Sequence, residues 1–535
     1  MAKPAVWGGF AGVGFLLFFY GNSLWQLLSR QAGESWQALL SESYFHHVLL
    51  FSFGQAFLSA LLSISGGLLL AHALFYQHFA GKSWLLKLFS LSMVLPVLVA
   101  IFGLLGVYGR AGWLHELLAF LHINWQPNGY GLSGILLAHV FFNLPLSSKI
   151  FYQTLHSIPH QQRRLACQLG IIDWYFIRLV EWPYVRQQLL PVFSLIFMLC
   201  FTSFTVVLTM GGGPKYTTLE VAIYQAITFD FELSRAAMLA LVQFALCFIL
   251  FQLSAYFAKT TPTAVNAHAD YIVPMPRYIA YGQRLILVIA VIFLLLPLLQ
   301  VVISGLNIHA WRLAWDNPQL WRALGYSLII APTAGLVCLL FTLLLLLGAR
   351  QFHYRHAVKT ASSMVNVGMT ILAVPSLVLA VGLYLLLQQF TINNTLLFII
   401  VVLCNALLAM PFAIRLLILP LYNNMVYYER LCTALGITGW QRWQLIEWQS
   451  IKQPCQRAFA LASALSLGDF TAIALFGSQD FTSLPRLLYQ QIGHYRNQEA
   501  GVTALLLLLF CSLIFLLLDS DDKTKKSVLP LPPRT

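Results

Sequence analysis

The chain has 535 residues, of which 59% are hydrophobic and 9% charged; a soluble domain carries roughly a quarter charged residues. That balance excludes a soluble globular enzyme and points to a polytopic membrane protein. The net charge of +13 is spread over many loops, so it reads as topology and contact with anionic lipid headgroups, and no nucleic-acid partner is expected.

A helix crosses the hydrocarbon core with about 20 mostly apolar residues. On that scale spans fall near 8–28, 48–76, 86–109, 132–154, 191–210, 236–258, 284–306, 325–349, 363–388, 395–419, 457–477 and 500–518, twelve in all. The clearest are Leu285–Leu306 and Gly501–Leu518, 22 and 18 residues without a charge. Each span must satisfy its own backbone hydrogen bonds, and barrel-like alternation is absent, so an all-α architecture is expected. The first apolar run follows Lys3, continues to Trp25 and lacks a small-residue cleavage site, which favours an uncleaved helix. Eight of the 31 Lys and Arg (Arg30, Arg110, Lys215, Arg235, Arg312, Arg322, Arg486 and Arg496) fall in segments assigned outside, which leaves 23 inside. That bias puts both termini in the cytoplasm.

The chain repeats itself. Residues 163–182 and 429–448, offset by 266, share nine identities: Arg164/Arg430, Leu165/Leu431, Leu169/Leu435, Gly170/Gly436, Ile171/Ile437, Trp174/Trp440, Leu179/Leu445, Glu181/Glu447 and Trp182/Trp448. The same offset pairs Pro145 with Pro411 and Phe204-Thr205 with Phe470-Thr471, and an offset of 265 pairs Tyr224-Gln225 with Tyr489-Gln490. Upstream the offset is 279 (Pro96/Pro375, Gly103/Gly382), because the first copy has the longer outside loop Gly109–Gly131. A six-span unit duplicated in parallel is therefore expected: 1–260, a polar cytoplasmic linker 261–283 with Pro262, Pro274 and Pro276, a second unit 284–519, and a polar tail 520–535. Parallel duplication implies a pseudo-twofold axis along the membrane normal with a pathway between the halves.

The repeated stretch interrupts two oily segments with charge. It reads as helix, turn, helix: Gln161–Leu169 first, Gly170 at the left-handed turn, Asp173 as cap of the second part, and Pro183 ending it. Trp174, Ile177 and Glu181, spaced by three and four, are expected on one side. Such a piece is too polar to span and too aromatic for an ordinary loop; its best use is docking into a groove of a cytoplasmic partner.

The spacing resembles the cytoplasmic signature loop of binding-protein-dependent ABC importer permeases: Glu-Ala-Ala, three residues, Gly, twelve residues, Pro. Arg164, Leu165 and Ala166 take the triplet here, then Gly170 and Pro183. The second copy has Arg430, Leu431 and Cys432, then Gly436, with Gln449 in place of the proline, and neither copy keeps the Glu. The resemblance implies that Arg164, Leu165, Ala166, Gly170, Trp174, Glu181, Trp182 and Pro183, with Arg430, Leu431, Gly436, Trp440, Glu447 and Trp448, form two coupling helices. These would sit on two copies of a cytoplasmic ATPase subunit. Residues 204–226 (FTVVLTMGGGPKYTTLEVAIYQA) and 466–491 (SLGDFTAIALFGSQDFTSLPRLLYQQ) are similar to the corresponding parts of thiamine importer permeases. That implies a type I importer permease fold in a bacterial inner membrane, with thiamine and its phosphates delivered by a periplasmic binding protein. Ferric-iron importer permeases share the layout and stay open as an alternative.

Asp469 is the one carboxylate placed well inside an expected span, at an insertion cost of about 3 kcal/mol. It suits a countercharge for a cationic cargo, and equally a cap on a broken helix beside Gly468. Phe204, Thr205, Phe470 and Thr471 occupy equivalent places and suit a gate, or ordinary packing. Gly81-Lys82-Ser83 lacks the earlier glycine of a nucleotide loop, since Tyr76 stands there, so ATP is expected to be hydrolysed by a separate subunit. His46-His47 has no third ligand, and the eight cysteines show no zinc or redox spacing; no metal, cofactor or catalytic residue is expected. An ion-driven secondary transporter would need several charges within its spans, and a membrane enzyme a cluster of His, Asp or Glu; neither pattern is present.

Overall fold

The computed structural model describes residues 2–29, 35–92, 94–123, 128–257, 276–369, 374–388, 393–437 and 439–519. The expected tail 520–535 and most of the expected linker lie outside these residues. The described chain is helical throughout. The first half runs α1 (Ala2–Ser29), α2 (Trp36–Ser41), α3 (Ser43–Tyr76), α4 (Lys82–Ser92), α5 (Val97–Tyr108), α6 (Trp113–Phe120), α7 (Leu132–His156), α8 (His160–Gln168), α9 (Asp173–Phe176), α10 (Trp182–Phe201), α11 (Phe204–Met210), α12 (Leu219–Thr228) and α13 (Leu233–Phe257). The second runs α14 (Arg277–Gly305), α15 (Ile308–Trp315), α16 (Pro318–Tyr354), α17 (Val358–Met369), α18 (Ser376–Leu387), α19 (Asn394–Ala434), α20 (Gly439–Arg442), α21 (Trp448–Gly468), α22 (Thr471–Phe476), α23 (Leu484–Gly493) and α24 (Asn497–Asp519). Polar helix starts are capped locally: Asn317 accepts from Gln319 N ahead of Pro318, and Asn393 accepts from Leu396 N. α14 begins at Arg277, inside the stretch 261–283 expected to link the halves.

Ten helices among the described residues are long and apolar enough to cross a membrane. Four of the expected spans are not single helices. The span near 86–109 divides into α4 and α5, with Pro96 at the start of α5; that near 363–388 divides into α17 and α18, with Pro375 at the start of α18. Proline supplies no N–H and pushes the preceding residue out of the helical region, so both breaks fall at the same repeated proline. The spans near 191–210 and 457–477 break at Thr202-Ser203, between α10 and α11, and at Asp469-Phe470, between α21 and α22. Hydropathy alone reads each of these as one crossing, since a short break hardly changes a window average.

Packing repeats with the sequence. α3 lies along α7 and α10, and α16 lies along α19 and α21. The first helix of each half packs on the other half: α1 against α16 and α18, α14 against α3 and α5. Glycine makes both approaches possible. A Cβ on Gly103 would lie 2.3 Å from the carbonyl oxygen of Pro297 in α14, and one on Gly382 would lie 2.5 Å from the carbonyl oxygen of Ser23 in α1. Small residues at such contacts let backbones meet and gain dispersion contacts where lipid removes the hydrophobic drive. Ser23 Oγ also donates to Leu379 O across the same contact, at 3.1 Å. The two halves are thereby interlocked.

Candidate functional site: a mid-membrane cavity and two paired loop helices

The turn of the repeated loop folds the same way twice, although the part before it is a separate helix, α8, in the first copy and the end of the 41-residue α19 in the second. α8 ends in a Schellman turn. Gly170 takes the left-handed conformation at φ +73°, its N–H donates to Cys167 O, and the Ile171 N–H reaches back to Ala166 O. In the second copy Gly436 has φ +63°, with Gly436 N to Thr433 O and Ile437 N to Cys432 O. Ala166 and Cys432 are buried under these turns. Arg164, Leu165, Leu169, Arg430, Leu431 and Leu435 are exposed. Ile172, not Asp173, takes the cap position of α9; Asp173 is its first residue. Of the second copy, Thr438 and the side chain of Trp440 lie outside the described residues.

Pro183 does not end the second helix, as expected from sequence. α9 continues through a π-turn, Ile177–Glu181, into α10, a helix of 29 residues from Asp173 to Phe201. The wider turn accommodates a residue without an N–H near the helix start. An identical π-turn, Trp443–Glu447, leads into α21, although Gln449 replaces the proline there. The proline is therefore not its sole cause. One extra residue in a turn rotates everything after it by about 100°. This corrects the expected shared face: Trp174 is 66% exposed, whereas Glu181 is turned inward and 2% exposed.

Each turned glutamate is anchored to a long span. Glu181 Oε1 accepts from the Tyr76 hydroxyl and from Arg163 Nη1 at 3.3 Å, and His72 Nε2 lies 3.6 Å from Oε2. Arg163 is buried, donates to Leu155 O at 2.8 Å and lies over the Phe75 ring. Glu447 accepts from Arg350 Nη2 at 2.9 and 2.8 Å and from Arg442 Nε at 2.9 Å; Arg442 also pairs with Glu429. His72 and Tyr76 end α3, and Arg350 lies near the end of α16. The exposed patch beyond them is apolar in both copies, with Trp174, Tyr175, Leu179 and Trp182 in one, Leu445 and Trp448 in the other.

The second part of the site lies where the spans break. A cavity of about 350 Å³ is lined by Leu95, Pro96, Ser203, Phe204, Asn405 and Asp469 among others. Residues at three of the four breaks border it. Non-helical backbone at membrane depth is tolerated only where it is buried in protein or lines a water-filled space. Phe204 and Phe470, both buried and equivalent in the repeat, stack on each other with centroids 6.0 Å apart and planes at 12°. Tyr224 packs on Phe204 at 5.3 Å and Tyr489 on Phe470 at 4.9 Å, which makes a row of four rings. Thr205 and Thr471 line the same space. Leu199, Thr202, Leu465 and Ser466 also border the cavity and precede the stacked pair along α10 and α21, so the cavity lies on the loop-helix side of it. Asp469 Oδ2 accepts from Ala472 N at 3.3 Å, at the start of α22.

Sequence reasoning missed Arg163, Arg350, Arg442, His72, Tyr76 and Asn405. His72 and Arg350 do corresponding work with different chemistry, so no identity flagged them. Arg163 faces Glu429 in the alignment, and Asn405 faces His139, which leaves both equally silent.

A family model described as the inner membrane component of binding-protein-dependent transport systems matches residues 63–261. The chain is 54% identical over 522 residues to the thiamine transport system permease protein ThiP of Haemophilus influenzae, covering 97% of each chain. It is 45% identical over 492 residues to that of Escherichia coli, covering 91% of each, and 38% identical over 544 residues to that of Brucella abortus, covering 98% of this chain and 97% of the relative. With such identity along nearly its whole length, this chain belongs to the thiamine transport system permease family of binding-protein-dependent inner-membrane components.

Proposed function

We propose that this multi-pass membrane protein is the conduit of an ATP-driven importer that carries thiamine and its phosphates inward from a periplasmic binding protein. The observation that carries the reading is the full-length match to permeases named for thiamine transport. Those names do not favour the ferric-iron alternative. The chain supplies a pathway and no catalytic group; ATP is hydrolysed by two copies of a cytoplasmic subunit, one on each exposed loop helix. Both termini and both loop helices face the cytoplasm in this reading. The halves are 1–260 and 284–519.

Mechanistically, closure of the two ATPase subunits moves the loop helices. Glu181 hands that movement to α3 and Glu447 hands it to α16, because each is bonded to the end of that span. Phe204 and Phe470 then part, and the cavity exchanges its inward opening for an outward one. ATP drives this only because the ATPase pair contacts the two states differently.

Labelled thiamine uptake into proteoliposomes holding this chain, its ATPase subunit and its binding protein tests the reading. Uptake that requires all three and internal ATP is expected. Uptake that survives without ATP and collapses with the proton gradient would overturn it in favour of a secondary transporter.

A further inference from the structure

The cavity beneath the stacked phenylalanines carries an acidic side chain that the fold does not require. Asp469 is the single ionisable side chain among its described lining residues. It has no Lys, Arg or His partner among the described residues; its contacts are the start of α22 and Asn405. In the orientation that gives each amide atom a complementary neighbour, Asn405 donates to Asp469 Oδ2 at 3.1 Å and to Val401 O at 3.3 Å, and accepts from Ser466 Oγ at 2.9 Å. The side chain is thus held in place by neutral donors.

Capping α22 needs an acceptor, not a charge. Ser203 stands at the corresponding place in the first half and makes no side-chain cap bond, yet α11 forms behind it, so the fold does not need a charge there. A carboxylate kept at membrane depth, lining a cavity and without a cationic partner among the described residues, is matched to a cation that visits. The rest of the lining fits such a visitor. Phe142 and Phe412 border the cavity together with Phe204 and Phe470, and aromatic faces attract cations, more so when water is excluded. The volume of about 350 Å³ lies in the range of small-molecule sites, roughly 300–1,000 Å³.

We infer that the permease itself holds a recognition site for a small aromatic cation, with Asp469 as countercharge, Asn405 as the residue that positions it, and the phenylalanines as walls. This rests on the reading of thiamine as cargo, whose thiazolium ring carries a fixed positive charge. The cargo is then selected by charge inside the membrane as well as by the binding protein.

The test is equilibrium binding of labelled thiamine to the permease–ATPase complex in nanodiscs, without binding protein, together with uptake by the full system. Wild type binds. Asp469→Ser, which keeps a capping acceptor, loses at least tenfold in affinity while still assembling with its ATPase. Ser203→Asp combined with Asp469→Ser puts the carboxylate on the opposite wall of the same cavity and regains binding, which a merely structural role would not produce. Absence of thiamine binding by wild type, or equal affinity in wild type and Asp469→Ser, overturns the inference while uptake by the wild-type system leaves the importer reading intact. Absence of ATP-dependent uptake by the wild-type system overturns that reading, and the inference with it.

Discussion

Glu181 and Glu447 are the same residue in the repeat, yet they sit in different ionic settings. Glu181 faces one buried guanidinium, that of Arg163, beside a phenol and an imidazole; Glu447 faces two, Arg350 and Arg442. Removing one partner of a buried pair leaves an uncompensated charge and costs about 3–5 kcal/mol. Glu447→Ala should therefore lower the melting temperature of the purified protein more than Glu181→Ala, because Arg350 then keeps no hydrogen bond among the described residues, whereas Arg163 keeps Leu155 O and Arg442 keeps Glu429. Equal melting temperatures for the two variants and the wild type would show that neither glutamate anchors its loop. The repeat made both glutamates visible in the sequence but not their partners. Glu447 meets Arg350 across 97 residues, and nothing local connects the two.

The loop helices act as elements through their glycine turns and π-turns. Gly170 and Gly436 have open space where a Cβ would go, so size alone does no harm there. The cost is the left-handed backbone, about 1–2 kcal/mol for most residues, less for Asn and most for β-branched side chains. Gly170→Asn should keep most ATP-dependent uptake, whereas Gly170→Val should impair it without preventing insertion, as read by uptake against membrane protein level. Equal uptake by both variants would mean the turn does not set the helix that meets the ATPase. The glycine turn was legible because glycine signals that backbone directly. The π-turn was not: a helix of even pitch predicts one face for Trp174, Ile177 and Glu181, and only the inserted residue turns the glutamate inward. The breaks in the spans are only partly legible: Asp469 beside Gly468 suits the cap of a broken helix, Pro96 and Pro375 register as a repeated pair inside single spans and not as breaks, and Ser203 carries no mark.

At the scale of the whole molecule, duplication supplies two loop helices, each anchored to a long span, and one shared cavity. The duplicated layout could be read from the offset of 266, because identities at one spacing need no knowledge of contacts. The interlocking of α1 and α14 with the opposite halves could not, since Gly103 and Gly382 are glycines that match without saying what they touch. Each half ties its loop helix to a long span, and the broken spans meet at the stacked pair of Phe204 and Phe470.

The most direct measurement is the distance between spin labels at Lys215 and Gln479, exposed positions that follow α11 and α22, in a background whose eight native cysteines are replaced. It would be taken with the ATPase subunits attached, first without nucleotide and then with ATP trapped. The account predicts that trapped ATP lengthens the distance as the ring stack opens, and that Glu181→Ala with Glu447→Ala abolishes the change while the ATPase stays bound. An unchanged distance in the wild type, or a full change in the double variant, would contradict it.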